Sequence, residues 1–184
     1  MLPFRVDLVP GVPVYEQLVA AVTRAVMCGV LQTGDTFPSV RALSQALRIN
    51  PNNADAWAFL GQLSAFEGKA TDGIGHLRKA LQLNPHPPGW YYWLLGLAQY
   101  AARHYDDAVE TLRHEATHRL GSQRILAASL AQLGRMQEAR TEAGQFLAAN
   151  RGFSIQHWAA TQPFRHEADR QHFIHGYVQA GLPR

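Results

Sequence analysis

Cysteine is nearly absent: Cys28 stands alone among 184 residues, which excludes an internal disulfide and fits a reducing cytoplasm. Long hydrophobic runs are absent too. The densest, Trp90 to Ala98, falls far short of the roughly 20 apolar residues that span a bilayer. The first residues, Met1 to Asp7, show no basic region followed by an apolar stretch, so no signal peptide is expected. Charge is sparse, with 17% charged residues and a formal net charge of +3. It is also spread out. Residues 1–52 carry four arginines against three acids, and the remainder carries 13 cations against 11 acids. Neither part has the concentrated basic face of a strong nucleic-acid binder. No glycine-rich phosphate loop is found, since Gly73-Ile74-Gly75 lacks the required pattern. What is present is 47% hydrophobic residues, the composition of an ordered globular chain.

Self-similarity comes next, because it fixes architecture. With Ala54 as position 1, Trp57, Leu60, Gly61, Gly68, Gly73, Leu77, Ala80 and Pro85 fall at positions 4, 7, 8, 15, 20, 24, 27 and 32. Small residues at the crossings let two helices approach, large ones fill the layer between them, and proline ends the second helix. This pattern resembles a tetratricopeptide (TPR) repeat, a helix-turn-helix unit of about 34 residues. A second unit begins near Gly89, with Leu95-Gly96, Tyr105 to Val109 and Leu112. A third begins near Leu120, with Leu126-Ala127, Gly134, Ala139 and a helix to about Ala149. It starts 31 residues after the second, so a shortened turn is expected. Asn53 and Asp106 are candidate N-caps.

The register also runs upstream: Leu43, Ala46 and Pro51 lie 34 residues before Leu77, Ala80 and Pro85. Tyr15 to Cys28, apolar at helical spacing, is the expected partner helix. The same stretch carries a second signature. Pro13-Val14-Tyr15-Glu16-Gln17-Leu18, Gly34-Asp35, Pro38-Ser39-Val40-Arg41-Ala42-Leu43 and Ile49-Asn50-Pro51-Asn52 resemble the opening of a GntR-type winged-helix regulator. That resemblance implies DNA contacts through Ser39, Arg41, Asn50 and Asn52. The segment Asn53 to Glu67, where the family has its DNA-reading helix, holds no lysine or arginine and two acids. Base readout requires hydrogen-bonding side chains on such a helix. The reading favoured here treats residues 1–52 as a degenerate first hairpin. The alternatives are a DNA-binding regulator and a recombined chimera without a selected function.

His114-Glu115-Ala116-Thr117-His118 reads H-E-x-x-H, which on a helix places two histidines on one face for zinc. Arg124 stands where a further histidine ligand would belong, and a guanidinium cannot ligate a metal. Glu138 or Glu142 is the only carboxylate suggested to complete the set. The expected role of the string is a helix surface, with no metal, cofactor or catalytic residue.

The expected fold is all-α: a TPR-like right-handed solenoid of antiparallel hairpins without wing strands. Residues 1–52 form the degenerate hairpin, 53–151 three repeats, and 152–184 a capping segment rich in Trp158, Phe164, Phe173 and Tyr177. By the TPR resemblance, first helices line a concave groove through Asp55, Ala58, Gln62, Ala65 and Phe66, then Trp90, Trp93, Leu97, Tyr100 and Ala101, then Gly121, Arg124, Ala128, Ala131 and Gln132. Phe66, Trp90, Trp93, Leu97, Tyr100 and Arg124 are the candidate contacts for an apolar peptide or partner helix. The equal alternative is that the tryptophans pack internally. The segment from Phe153 to Pro183 also resembles the tails that close TPR regions of bacterial signalling proteins. These resemblances imply a cytoplasmic, non-catalytic scaffold in a bacterial signalling or regulatory setting, with a free edge on the first hairpin as a route to homodimers.

Overall fold

The computed structural model describes residues 43, 44, 47, 48, 50–113 and 122–184. Among the described residues, eight helices follow one another from Ala54 onward: α1 (Ala54–Phe66), α2 (Ala70–Leu83), α3 (Gly89–Ala101), α4 (Tyr105–Leu112), α5 (Gln123–Gln132), α6 (Met136–Ala149), α7 (Ile155–Thr161) and α8 (Glu167–Gln179). Among the described residues there is no strand.

Local chemistry explains where these helices begin and end. The Asn53 side chain accepts a hydrogen bond from the Ala56 backbone N–H at 3.0 Å, filling a donor left orphaned at the start of α1. Asp55 in the same turn suits the positive end of the helix dipole. Asp106, a candidate N-cap, lies inside the first turn of α4 instead, and its benefit there is likewise with the dipole. The first helices of the three hairpins end alike. Lys69 N–H donates to the Ser64 carbonyl, His104 to Gln99 and Arg135 to Leu130, each at 2.9 Å. The residue preceding each donor is left-handed: Gly68 at φ 80°, Arg103 at 65° and Gly134 at 74°. This is the Schellman closure, which satisfies the last carbonyls of a helix.

Those three turn residues show how the repeats are spaced. They lie 35 and then 31 residues apart, so the third unit keeps the short interval at its inter-helix turn. The saving falls on α5, which has 10 residues where α1 and α3 have 13. It begins at Gln123 rather than near Leu120, and residues 114–121 lie outside the described residues.

Within each hairpin the two helices pack against one another. The first helices α1, α3 and α5 also pack in series, while α2 packs on α3 and α4 on α5. The α1–α2 crossing is as close as it is because both partners are glycine. A Cβ on Gly73 would stand 2.6 Å from the Gly61 carbonyl oxygen, and one on Gly61 would stand 2.6 Å from Leu77 Cγ. One continuous core runs from Ala58 through Leu94, Leu112 and Leu130 to Phe173 and Leu182. Upstream, Leu47 is buried against Ala56 and Leu60 in a smaller cluster.

The C-terminal segment forms two helices. α7 starts with Ser154 accepting from His157 N–H. Near the chain end Gly181 repeats the left-handed closure, with Leu182 N–H donating to the Tyr177 carbonyl at 3.0 Å. Ile155 N–H then donates to Pro183 at 3.0 Å, and Arg165 N–H reaches back to the Phe66 carbonyl at 3.0 Å. The expected capping helix is α8. It lies across the stack, packed on α5, α7 and α3, where it buries Phe173, Gly176 and Tyr177.

Candidate binding face

The face built by α1, α3 and α5 divides into two halves. At its N-terminal half, Asp55 on α1 accepts a short 2.5 Å hydrogen bond from the Tyr91 hydroxyl on α3. Burial, followed by this carboxylate, pushes the Tyr91 phenol well above its ordinary value, so it is a fixed neutral donor. Trp90 stacks on Phe59 with centroids 5.2 Å apart and meets Tyr91 edge-on at 4.4 Å. Trp90 and Trp93 are partly exposed and packed against the core. The Trp93 indole N–H is buried with no acceptor among the described residues. Gln62 on α1 is partly exposed as well. Phe66, by contrast, is buried and takes Phe164 edge-on at 5.0 Å, and Leu97 is buried as well.

The C-terminal half is covered by α8. Tyr100, fully buried, stacks on His172 with centroids 4.7 Å apart and 18° between planes. Its hydroxyl donates to the His172 carbonyl at 3.3 Å, and His172 Nε2 returns a 3.3 Å hydrogen bond to the Tyr100 carbonyl. Since a carbonyl only accepts, Nε2 carries the proton. Phe173 meets the Tyr100 ring at 4.8 Å. α8 comes so close at Gly176 that a Cβ there would overlap the Tyr100 hydroxyl at 1.8 Å. Farther along, Gln179 Nε2 donates to the Ala131 carbonyl at 3.2 Å. Ala128 and Ala131 are therefore buried floor. Two fully buried aromatics on α8, each worth roughly 2–3 kcal/mol of apolar burial, make it an integral wall of the fold.

Arg124, the one basic groove candidate, is partly exposed. Its Nε donates to the Tyr177 hydroxyl at 3.3 Å. The guanidinium carbon lies 5.4 Å from the Trp158 ring centre and 6.0 Å from that of Phe146, within cation–π range.

Of the six groove candidates, the structure places Trp90 and Trp93 together at one half, Tyr100 and Arg124 under or beside α8, and Phe66 and Leu97 in the core. Of the DNA-contact candidates, Ser39 and Arg41 lie outside the described residues. Asn50 Oδ1 accepts from Asn52 N–H at 3.1 Å, an Asx turn that leads into α1. His172 and Gly176 were not among the sequence candidates, whereas Phe173 and Tyr177 were expected only as cover of the capping segment. The signal for Gly176 was its place between these aromatics, at i+3 from Phe173 with Tyr177 at i+4.

The H-E-x-x-H string lies outside the described residues. Glu138 is engaged elsewhere, by Arg113 at 2.6 Å and Arg135 at 2.7 Å. Hydrogen bonds from Arg135 and then Arg113 hold its carboxyl at about 2. Among the described residues no three His, Cys, Asp or Glu side chains cluster as metal ligands, and no helix is long and apolar enough to cross a membrane.

Hairpins repeated at near-constant spacing, with first helices in series and a shared Schellman closure, define an all-α, TPR-like solenoid. The fold is similar to that in the crystal structure of MamA, a TPR-like protein. The TM-score is 0.55 at 20% sequence identity, over 86% of this chain and 89% of that one. At that identity the likeness concerns the fold. No protein-family model and no curated protein matches the chain.

Proposed function

We propose that this chain is a non-catalytic scaffold that binds a protein or peptide partner on the face of its first helices, in a bacterial signalling or regulatory setting and in the cytoplasm. The observation that carries this reading is the pair Trp90 and Trp93. Both remain partly exposed on α3, a first helix of the TPR-like stack, and Trp90 adjoins Tyr91, whose hydroxyl binds Asp55 of α1. Solenoids use such faces for extended partners, and aromatic side chains dominate binding energy at interfaces. α8 closes the C-terminal half, so the accessible part of the face is centred on α1 and the start of α3.

Selection from a displayed library of short randomised peptides tests the reading. Apolar sequences are expected to enrich on the wild-type chain. Trp93→Ala is expected to weaken a selected peptide by about 10-fold or more, the loss typical of an aromatic anchor, with the helical circular dichroism unchanged. Enrichment of no sequence at all would remove the scaffold reading.

A further inference from the structure

Charge is divided unevenly between the two helices of each hairpin. The second helices carry it as solvated faces do: Asp72, Arg78 and Lys79 on α2, Asp106, Asp107 and Glu110 on α4, Glu138, Arg140 and Glu142 on α6. The first helices α1 and α3, 13 residues each, hold a single charged side chain between them, Asp55. Yet both keep residues partly in solvent, Phe59, Gln62 and Leu63 on α1 and Trp90, Tyr92 and Trp93 on α3. Contacts join Asp55 to the aromatic part of this surface. Its Oδ1 accepts from the Tyr91 hydroxyl at 2.5 Å. Trp90 meets the Tyr91 ring edge-on at 4.4 Å and stacks on Phe59, and Trp93 follows Trp90 at i+3, on the same side of α3. Tyr91 is fully buried, so the donor that aims the carboxylate belongs to the core. Asp55 itself is partly exposed. Among the described residues the acids in ion pairs are Glu67, Asp107, Glu138 and Glu167, and Asp55 is not one of them. The outcome is one oriented carboxylate beside an apolar, aromatic surface, on the half of the face that α8 does not cover.

We propose that Asp55 receives a lysine or arginine of the bound partner, so that the partner fitted to this face is an apolar segment carrying one basic residue. Charge complementarity argues for this occupant. A wholly apolar segment laid over Trp90 and Trp93 would take water from the neighbouring carboxylate and offer nothing in return, which is costly. An acidic segment would add repulsion. A cation restores the lost solvation with a charge-assisted hydrogen bond, and the partly dehydrated setting strengthens it. The acceptor is also in place before the partner arrives. Tyr91 holds one oxygen, and the dipole of α1 favours a carboxylate in its first turn. The inference rests on the scaffold reading and adds the partner's chemistry: an apolar anchor for Trp90 and Trp93, and a cation for Asp55.

The test is selection of displayed randomised peptides on the full chain, followed by a double-mutant cycle. Wild type is expected to enrich a lysine or arginine at a constant spacing from the apolar anchor. Asp55→Asn removes the charge and keeps an acceptor for the Tyr91 hydroxyl. It should retain the apolar consensus, lose the basic preference, and bind a wild-type-selected peptide about 10-fold more weakly, as for a lost charge-assisted hydrogen bond. Replacing the basic residue of that peptide by alanine should cost wild type about the same factor and cost Asp55→Asn almost nothing, because the two changes remove one interaction. Added salt should weaken the wild-type complex more than the Asp55→Asn complex. An apolar consensus without a basic residue, or losses that simply multiply across the cycle, would overturn the pairing and leave the scaffold. If nothing enriches, both fall. Should Asp55→Asn fail to fold, the presence or absence of a basic residue in wild-type selections decides alone.

Discussion

Two glycines illustrate different reasons for the same residue, and mutation separates them. Gly134 has φ 74°, yet a Cβ there would meet nothing within 4 Å. Its requirement is conformational, so Gly134→Ala is expected to cost about 1 kcal/mol. Gly176 lies within α8, and its requirement is space, because a Cβ would overlap the Tyr100 hydroxyl. Gly176→Ala is expected to cost about 1–3 kcal/mol as overpacking. Adding Tyr100→Phe should recover part of it by removing the oxygen that clashes. Urea unfolding of the three variants measures this, and the idea fails if Tyr100→Phe gives no recovery. The αL position of Gly134 was legible, since glycine at position 15 of a repeat marks the inter-helix turn. The role of Gly176 was not, because its partner Tyr100 is distant in sequence and only tertiary packing joins them. Arg103, holding the same left-handed turn at φ 65°, carried no sequence signal of its own.

Helices and hairpins were the most legible level, because they depend on neighbours in sequence. Asn53 capping α1, Pro85 after α2 and small residues at the crossings all act locally. The placement of α8 does not follow from such rules. Its apolar residues announced a cap, but whether the cap sits at the end of the stack or across its inner face is decided by contacts with α3 and α5. That placement has an energetic consequence. Phe173 is 1% exposed and touches Tyr100, Trp158, Phe164 and Tyr177. Phe173→Ala is expected to destabilise the chain by about 3–5 kcal/mol. Gln171→Ala, on the exposed side of α8, should stay within about 0.5 kcal/mol. Both follow from chemical denaturation with the slope checked for constancy. Near-equal costs would mean that α8 is only loosely applied to the stack.

For the molecule as a whole, two histidines at opposite ends tie stability to pH in the same direction. His76 on α2 tilts against Trp57, with its Nδ1 3.3 Å from the Ser64 hydroxyl. Burial keeps its imidazole below the ordinary 6.5, with Asp72 opposing weakly. His172 on α8 is likewise held below 6.5, chiefly by burial and secondarily by Arg103 and His175. The Tyr100 carbonyl and Asp169 oppose. In both cases the unfolded chain takes up a proton at higher pH than the folded chain does. Stability is therefore complete above about 6.5 and falls as pH drops from there toward the folded-state values. Glu138 acts in a lower window. Its carboxyl sits at about 2 instead of 4.5, so its contribution is intact at pH 5 and lost only on further acidification. The melting temperature is thus expected to decline between pH 7 and pH 5, before any carboxylate of this network titrates. His172→Gln should flatten part of that decline, and His172→Gln with His76→Gln should flatten more. A melting temperature that is constant across this interval in the wild-type chain would show that neither ring is held neutral by the fold. The stacked pair of His172 and Tyr100 would then not join α8 to the solenoid in the way its geometry indicates.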